Sequence, residues 1–281
     1  METLELSGLW RFEPIPLAAT FAALLLYTAG VGPLRQRFFP GRPFPARQAS
    51  VFYLSLALLT LTFMSPLHTL GEYVLLSAHM ATVVIVVFFV APLFLLGLPG
   101  WLLRPLVDHP VVRPVLSFLV RPTVNVIHFN LAFLVIHIPV ALKFMMFSPG
   151  TWGEFLHYYT YFAIFGSSVL MWWTVINPVP DIIRTPAFRG QLIYLLVMTL
   201  AHNPFSSVVT FAPDILYPWY RDTTGLMGLT PIQDQHTAGL IMGVVYITVM
   251  LAAMTTVLMR WFADNDPNRA ERDTPTLTPS T

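Results

Sequence analysis

The chain has 281 residues, of which 56% are hydrophobic and 10% are charged, with a formal net charge of +1. Soluble domains carry about 25% charged residues, so this composition excludes an ordinary soluble protein and indicates a membrane protein with several spans. The absence of cysteine excludes disulfides, iron–sulfur clusters and every copper or zinc motif built on thiolates. Any bound metal must therefore use histidine, methionine or carboxylate ligands.

Seven apolar stretches predict an all-α polytopic membrane bundle with seven transmembrane helices. They cover residues 14–32, 49–65, 71–99, 123–142, 155–176, 191–211 and 237–261. We do not expect the first stretch to be a cleaved signal, because the segment before it is acidic rather than basic. The sequence thus predicts one transmembrane domain over residues 1–263 and a disordered polar cytoplasmic tail over residues 264–281.

The arginine and lysine residues predict the orientation of this bundle. All but three of the 15 fall in alternate loops on one side; the exceptions are Arg11, Lys143 and Arg221. Cytoplasmic loops carry the excess of basic residues, so the N-terminus is predicted outside and the C-terminus in the cytoplasm. Two sequences resemble capping boxes that begin helices on the outer side, Thr151–Glu154 before the fifth span and Thr230–Gln233 before the seventh.

The third stretch carries ionisable residues at an unusual position. A polar lead-in with His68 and Glu72 runs into the apolar segment that contains His79 and Met80. An ionisable side chain inside a bilayer costs roughly 2.5–3.5 kcal/mol, and such a residue commonly marks a functional site. In one continuous helix Glu72 and His79, seven residues apart, would share a face.

Histidines from five different spans are predicted to lie in the outer half of the bundle, at about 1.5 Å of depth per residue. These are His79, His137, His157, His202 and His236. Met80 and Met242 fall near the same level, and thioether with imidazole suits Cu(I). Each histidine alone also fits an interhelical hydrogen bond, and each methionine fits ordinary packing. Five histidines at one depth favour a metal or cofactor site, for which His79, His137 and His157 are the best candidates.

Several segments together resemble the CtaG-type assembly proteins associated with caa-type cytochrome c oxidases. They are SPLHTLGEYVLLSAHM, IHIPVAL, LHYYTYFAIFGSSVLMWW, and TFAPDILYPWY followed by GLTPIQDQHTAGLIMG, within roughly residues 54–250. The resemblance implies a protein of the bacterial cytoplasmic membrane that helps to mature a haem–copper oxidase by handling copper. It implies oxidase subunits, the lipid bilayer and a copper donor protein as partners, no nucleic acid, and no enzymatic turnover.

Carried over by position, the family's histidines fall on His79, His137 and His157, and its acid–amide pair falls on Asp234 and Gln235. The helix dipole alone also accounts for Asp234, because the first turn of a helix favours an anion. The chain departs from the family at Val83 and Tyr161, where the resemblance leads us to expect further histidines. His202 and His236 appear instead, so either the ligand set differs or the site has been lost.

Three functions are consistent with these observations. The first is a copper-handling assembly factor that uses His79, His137 and His157, with His202 or His236 as accessory ligands. The second is a metal-free membrane scaffold for oxidase subunits. The third is a haem-binding membrane electron carrier, in which paired histidines ligate the haem iron. A copper permease has less support, because no span has a continuous polar face.

Overall fold

The computed structural model describes residues 6–220 and 228–265, and its regular elements are helices throughout those residues. Arg221 and residues 266–281, which make up nearly all of the predicted tail, lie outside the described residues. In chain order the α-helices are α1 (Pro14–Val31), α2 (Pro33–Phe38), α3 (Ala46–Met64), α4 (Pro66–Tyr73), α5 (Leu76–Ile85), α6 (Ala91–Gly97), α7 (Gly100–Val107), α8 (Val112–Leu119), α9 (Pro122–His137), α10 (Pro139–Phe147), α11 (Gly150–Trp173), α12 (Phe188–Phe211) and α13 (Pro231–Asp264). Two short 3₁₀ helices, Leu6–Leu9 and Pro218–Tyr220, and a π-helical turn, Val86–Val90, complete the set.

Five helical segments in the described residues are long and apolar enough to cross a membrane: α1, α3, Leu76–Gly97, α12 and α13. The pair α8 and α9 bends by 79° and brings the number to six if it counts as one span. Helix α11 has 24 residues, which is about 36 Å at 1.5 Å per residue, but its tyrosines and histidine make it less apolar. The all-α membrane bundle is confirmed, whereas the number of seven spans and the orientation remain predictions.

The third predicted span is not one continuous helix. Helix α4 ends at Tyr73, Leu75 is extended with φ −132° and ψ 125°, and α5 begins at Leu76. A Cβ added at Gly71 would lie 2.6 Å from the backbone nitrogen of His79, so α4 folds back tightly against α5. The prediction that Glu72 and His79 share one helix face is therefore wrong, because the extended residue reverses the chain between them.

The fourth predicted span is also interrupted. Ile138 has φ −58° and ψ 131°, which ends α9 at His137 before α10 starts at Pro139. Proline disfavours the α-helical conformation of the residue that precedes it, which explains this position for the break. His137 consequently lies in the last turn of α9.

The two predicted capping boxes have different outcomes. At the start of α13, the Gln233 N–H donates to Thr230 Oγ1 over 3.3 Å, and the Thr230 N–H donates to Gln233 Oε1 over 2.9 Å. The Thr230–Gln233 box is thus confirmed. The Thr151–Glu154 box is wrong, because Pro149 occupies the N-cap of α11 in an extended conformation and the helix begins before Thr151.

Helix α13 packs against both α12 and α5. A Cβ added at Gly239 would lie 2.6 Å from the backbone nitrogen of Thr210, so glycine permits the close approach of α12 and α13. The core around these helices includes Met80, which is 0% exposed, and Met242, which is 1% exposed. This packing holds α5, and with it His79, at a fixed position in the bundle.

Candidate functional site

A buried carboxylate collects three donors where α4 meets α11. Glu72 Oε1 lies 2.7 Å from His157 Nε2, 3.2 Å from His68 Nε2 and 2.5 Å from the Tyr161 hydroxyl, which donates to it. We call these four residues the Glu72 cluster. Glu72 and His68 are each 3% exposed, and a carboxylate at such burial requires partners of this kind. Burial by itself raises the pKa of Glu72, but the hydrogen bonds with His157 and His68 outweigh it and hold that pKa below its ordinary value.

Glu13 approaches the Glu72 cluster from the segment that precedes α1. Ligand atoms of Glu13, His68 and Glu72 lie within 4.8 Å of one another, the one such group of three His, Asp or Glu among the described residues. The Tyr158 hydroxyl donates to Glu13 Oε2 over 3.3 Å, and Thr69 Oγ1 donates to the Leu9 carbonyl over 2.7 Å. These contacts fasten the segment before α1 to α11 and α4.

A second group consists of His79 on α5 and His137 on α9, which we call the histidine pair. Their ring centroids are 5.8 Å apart, and both residues are buried, His79 with 8% and His137 with 0% of its surface exposed. Neither Nε2 atom has a hydrogen-bond partner. His137 Nδ1 lies 2.8 Å from the Phe133 carbonyl, an acceptor, so Nδ1 carries the proton of the neutral ring. His137 Nε2 therefore presents a lone pair, as a metal ligand does.

A small cavity of about 30 Å³ is lined by residues of both groups. His79 and His137 line it together with His68, Tyr161 and Val83. A water needs roughly 10–15 Å³ of such volume, so the cavity has room for a small ion or one or two waters. Val83 and Tyr161, the positions where the chain departs from the family pattern, thus both form part of its wall.

The structure places the other predicted histidines differently. His157 belongs to the Glu72 cluster rather than to the histidine pair. His202 stacks on Tyr246 with ring centroids 4.3 Å apart, and its Nε2 also lacks a partner. His236 Nε2 lies 3.1 Å from the Ala212 carbonyl, in the connection between α12 and α13. Met80 and Met242 are packed in the hydrophobic core.

Asp234 and Gln235 both make hydrogen bonds to backbone groups. Asp234 accepts from the N–H groups of Leu76 and Ser77, over 2.7 and 3.1 Å, at the start of α5. Gln235 Oε1 accepts from the Leu216 N–H over 2.7 Å, and Gln235 Nε2 donates to the Asp214 carbonyl over 3.1 Å. The acid–amide pair therefore connects α13 to the helix that carries His79 and to the segment after α12.

Sequence reasoning did not single out Glu13 or assign a role to His68. Neither has a distinguishing local pattern: Glu13 is one of several acids near the N-terminus, and His68 lies in the polar lead-in just before the predicted third span. They come together because α4 folds back on α5 and because hydrogen bonds hold the segment before α1 against α4 and α11. Position on the chain alone carries no signal for this group.

Comparison with known proteins identifies one family. The sequence model of the cytochrome c oxidase caa3 assembly factors matches residues 25–264. Searches of curated proteins and of solved structures returned no match. The matched range includes the histidine pair, the Glu72 cluster and the Asp234–Gln235 pair, whereas Glu13 lies before it.

Proposed function

Because the chain belongs to the cytochrome c oxidase caa3 assembly factor family, we propose that it binds copper as cargo during assembly of a haem–copper oxidase. In this proposal the ion is held by the histidine pair, and the protein acts with oxidase subunits without catalysing a reaction. The observation that carries the proposal is the pair of buried imidazoles with unpartnered Nε2 atoms, both of which line one small cavity. A buried polar atom without a hydrogen-bond partner costs free energy, and one bound ion would give both Nε2 atoms a partner.

The chemistry of the pair suits copper. Imidazole nitrogen is a good copper ligand, and no thiolate is available in this chain. Phe63, Ile136 and Ile164 also line the cavity, so its wall is largely apolar and limits access of water to a bound ion. We propose that His202 packs against Tyr246, and that His236, on α13, contacts the Ala212 carbonyl in the connection between α12 and α13. His157 acts from the Glu72 cluster, where its partner is Glu72.

The proposed topology has seven crossings, with α11 as the fifth and α9 as the fourth. The N-terminus is outside and the C-terminus is in the cytoplasm of a bacterial cytoplasmic membrane. The basic residues support this orientation, since most of them lie in alternate connections. It places α4, the first turn of α5, the end of α9 and the start of α13 on the outer side, where a copper donor protein would deliver the ion.

The haem-carrier alternative conflicts with the size of the site. A cavity of about 30 Å³ has no room for a porphyrin between His79 and His137. The purified protein is therefore expected to show no haem absorption bands. The metal-free scaffold remains as the contrasting hypothesis for the copper experiments.

The test is a titration of the full chain, purified in detergent, with Cu(I) against a competing chelator. We expect one Cu(I) per chain and an affinity at least about tenfold weaker in His79→Ala and in His137→Ala. His109→Ala is the matched control, because His109 is exposed in the connection between α7 and α8. Absence of Cu(I) binding by the wild type, or equal affinity in all four proteins, would overturn the copper proposal.

A cellular experiment separates cargo binding from scaffolding. The double variant His79→Ala/His137→Ala should lower the copper content of the oxidase while the assembly factor itself still accumulates in the membrane. A scaffold that needs no metal predicts an oxidase with full copper content in that strain. The amount of membrane-inserted variant, measured by immunoblot, shows whether a loss reflects folding.

A further inference from the structure

A second set of metal-ligating groups lies apart from the histidine pair. We propose that Glu13, His68 and Glu72 form a separate site for a divalent transition-metal ion, such as Zn²⁺ or Cu²⁺. This site does not depend on the copper role of His79 and His137, because it has its own ligands and prefers a different charge state of the metal.

The geometry is close to that of a bound ion. Ligand atoms from the three side chains lie within 4.8 Å of one another. Ligands to a zinc-like ion are each about 2.0–2.2 Å from the metal, so the three atoms must approach by roughly 1 Å to share one ion. Glu13 is only partly buried and makes no side-chain capping bond with α1, so its side chain can supply this movement by giving up the 3.3 Å hydrogen bond from the Tyr158 hydroxyl.

The charges of the cluster favour a cation. Two carboxylates come within 4.8 Å of each other while Glu72 is 3% exposed, and like charges at such burial repel. Among the described residues, no lysine or arginine forms an ion pair with either of them, and Glu72 pairs only with His68 and His157. Arg11, the basic residue nearest along the chain to Glu13, stacks instead over the ring of Tyr73, 4.7 Å from its centroid. A divalent ion would offset both carboxylate charges.

The donor atoms determine the class of metal. Two carboxylate oxygens and one imidazole nitrogen form a set that suits borderline divalent ions, whereas Cu(I) favours softer ligands. His157 Nε2 lies 2.7 Å from the same Glu72 oxygen and can support the site from α11. The histidine pair offers nitrogen alone, so the two sites should differ in preference for Zn²⁺ and Cu(I).

The position of the site gives it access both to the surface and to the interior. Glu13 is partly exposed, whereas His68 lines the same cavity as His79 and His137. The Tyr161 hydroxyl lies 3.3 Å from His68 Nε2 and the Tyr161 ring forms part of the cavity wall. An ion bound by Glu13, His68 and Glu72 would therefore lie at the entrance to the cavity.

The experiment is a Zn²⁺ titration of the full chain in detergent by isothermal calorimetry. We expect the wild type to bind one Zn²⁺ and Glu13→Gln to bind it at least about tenfold more weakly, with Cu(I) affinity unchanged. Glu13→Gln is preferred to a Glu72 variant because Glu13 is partly exposed and its loss should leave folding intact. Glu154→Gln, which alters an exposed acid on α11, is the matched control and should bind Zn²⁺ as the wild type does.

Three results would overturn the proposal. The first is a wild type that does not bind Zn²⁺, and the second is equal Zn²⁺ affinity in Glu13→Gln and Glu154→Gln. The third is a loss of Zn²⁺ binding in His79→Ala as large as that in Glu13→Gln, which would place the ion at the histidine pair. Failure of the Cu(I) titration alone leaves these outcomes unchanged, so the two proposals fail independently.

Discussion

The backbone N–H of Leu76 donates a 2.7 Å hydrogen bond to Oδ2 of Asp234, a residue 158 positions later in the chain. Asp234 Oδ1 also accepts from the Ser77 N–H over 3.1 Å and from the Ser77 hydroxyl over 2.5 Å. The first N–H groups of a helix have no partner within that helix, and α5 has no local side-chain cap. A carboxylate from α13 thus caps α5 and fixes the position of His79 in its first turn.

Asp234→Ala should therefore destabilise the protein. It leaves buried N–H groups of α5 unpaired, which costs about 1–3 kcal/mol, and it removes an anion that the helix dipole favours. Asp234→Asn should cost less because its amide oxygen still accepts one bond. Thermal unfolding in detergent measures both, with Asp108→Ala as the exposed control. If Asp234→Ala and Asp108→Ala unfold alike, the cap does not stabilise α5.

Gly71→Ala tests the fold-back of α4. The added Cβ would meet the backbone nitrogen and Cα of His79 at 2.6 and 2.7 Å, and backbone atoms cannot rotate away. Overpacking of this kind costs about 1–3 kcal/mol, and the shift of His79 should also weaken Cu(I) binding. Gly166→Ala on α11 is the matched control, since no atom lies within 4 Å of its added Cβ. Equal melting temperatures for the two variants would show that α4 does not pack tightly on α5.

Tyr161→Phe tests the hydrogen bonds of the Glu72 cluster. The variant keeps the ring on the cavity wall but removes a hydroxyl that lies 2.5 Å from Glu72 Oε1 and 2.8 Å from His157 Nε2. Loss of a hydrogen bond to a charged group costs about 1.5–3 kcal/mol. Tyr159→Phe, two residues earlier on the exposed face of α11, should leave the unfolding temperature unchanged. A melting temperature for Tyr161→Phe equal to that of Tyr159→Phe would contradict the role of this hydroxyl.

The helical membrane bundle was predictable because apolar stretches of sufficient length are a strong local signal. The capping box at Thr230 was predictable for the same reason, since its donors and acceptors lie within four residues. The break in the helix after Tyr73 was not predictable, because positions 74 and 75 are valine and leucine rather than proline or glycine. That break is stabilised by Asp234, and a contact over 158 residues has no local signature.

Part of the candidate site was likewise predictable from the sequence, and part of it depended on tertiary contacts. His79 and His137 were predicted as ligands from their depth, and the structure brings their rings together across α5 and α9. His157 was predicted beside them, but its partner is Glu72, which the fold-back of α4 turns toward α11. Depth along a helix can be counted from a sequence, whereas the direction in which a broken helix folds depends on tertiary contacts.

Gln235 fastens the segment between α12 and α13, and that segment supports both groups of the site. Gln235 Oε1 accepts from the Leu216 N–H, and the neighbouring Tyr217 hydroxyl donates to the His137 carbonyl over 2.7 Å. The Tyr220 hydroxyl donates to the Gly71 carbonyl over 2.7 Å, on the helix that carries Glu72. A substitution that displaces this segment should therefore shift both the C-terminal end of α9 and helix α4.

Gln235→Ala should lower stability and weaken Cu(I) binding in the same variant. Each net hydrogen bond contributes about 0.5–1.5 kcal/mol, and Gln235, which is 2% exposed, makes two of them. Gln191→Ala is the control, because Gln191 Nε2 also donates to a backbone carbonyl, that of Pro186, but at the opposite end of α12. Unfolding and Cu(I) titration should both change in Gln235→Ala, whereas Gln191→Ala should retain wild-type Cu(I) affinity. Wild-type Cu(I) affinity in a destabilised Gln235→Ala would show that the segment stabilises the fold without positioning His137.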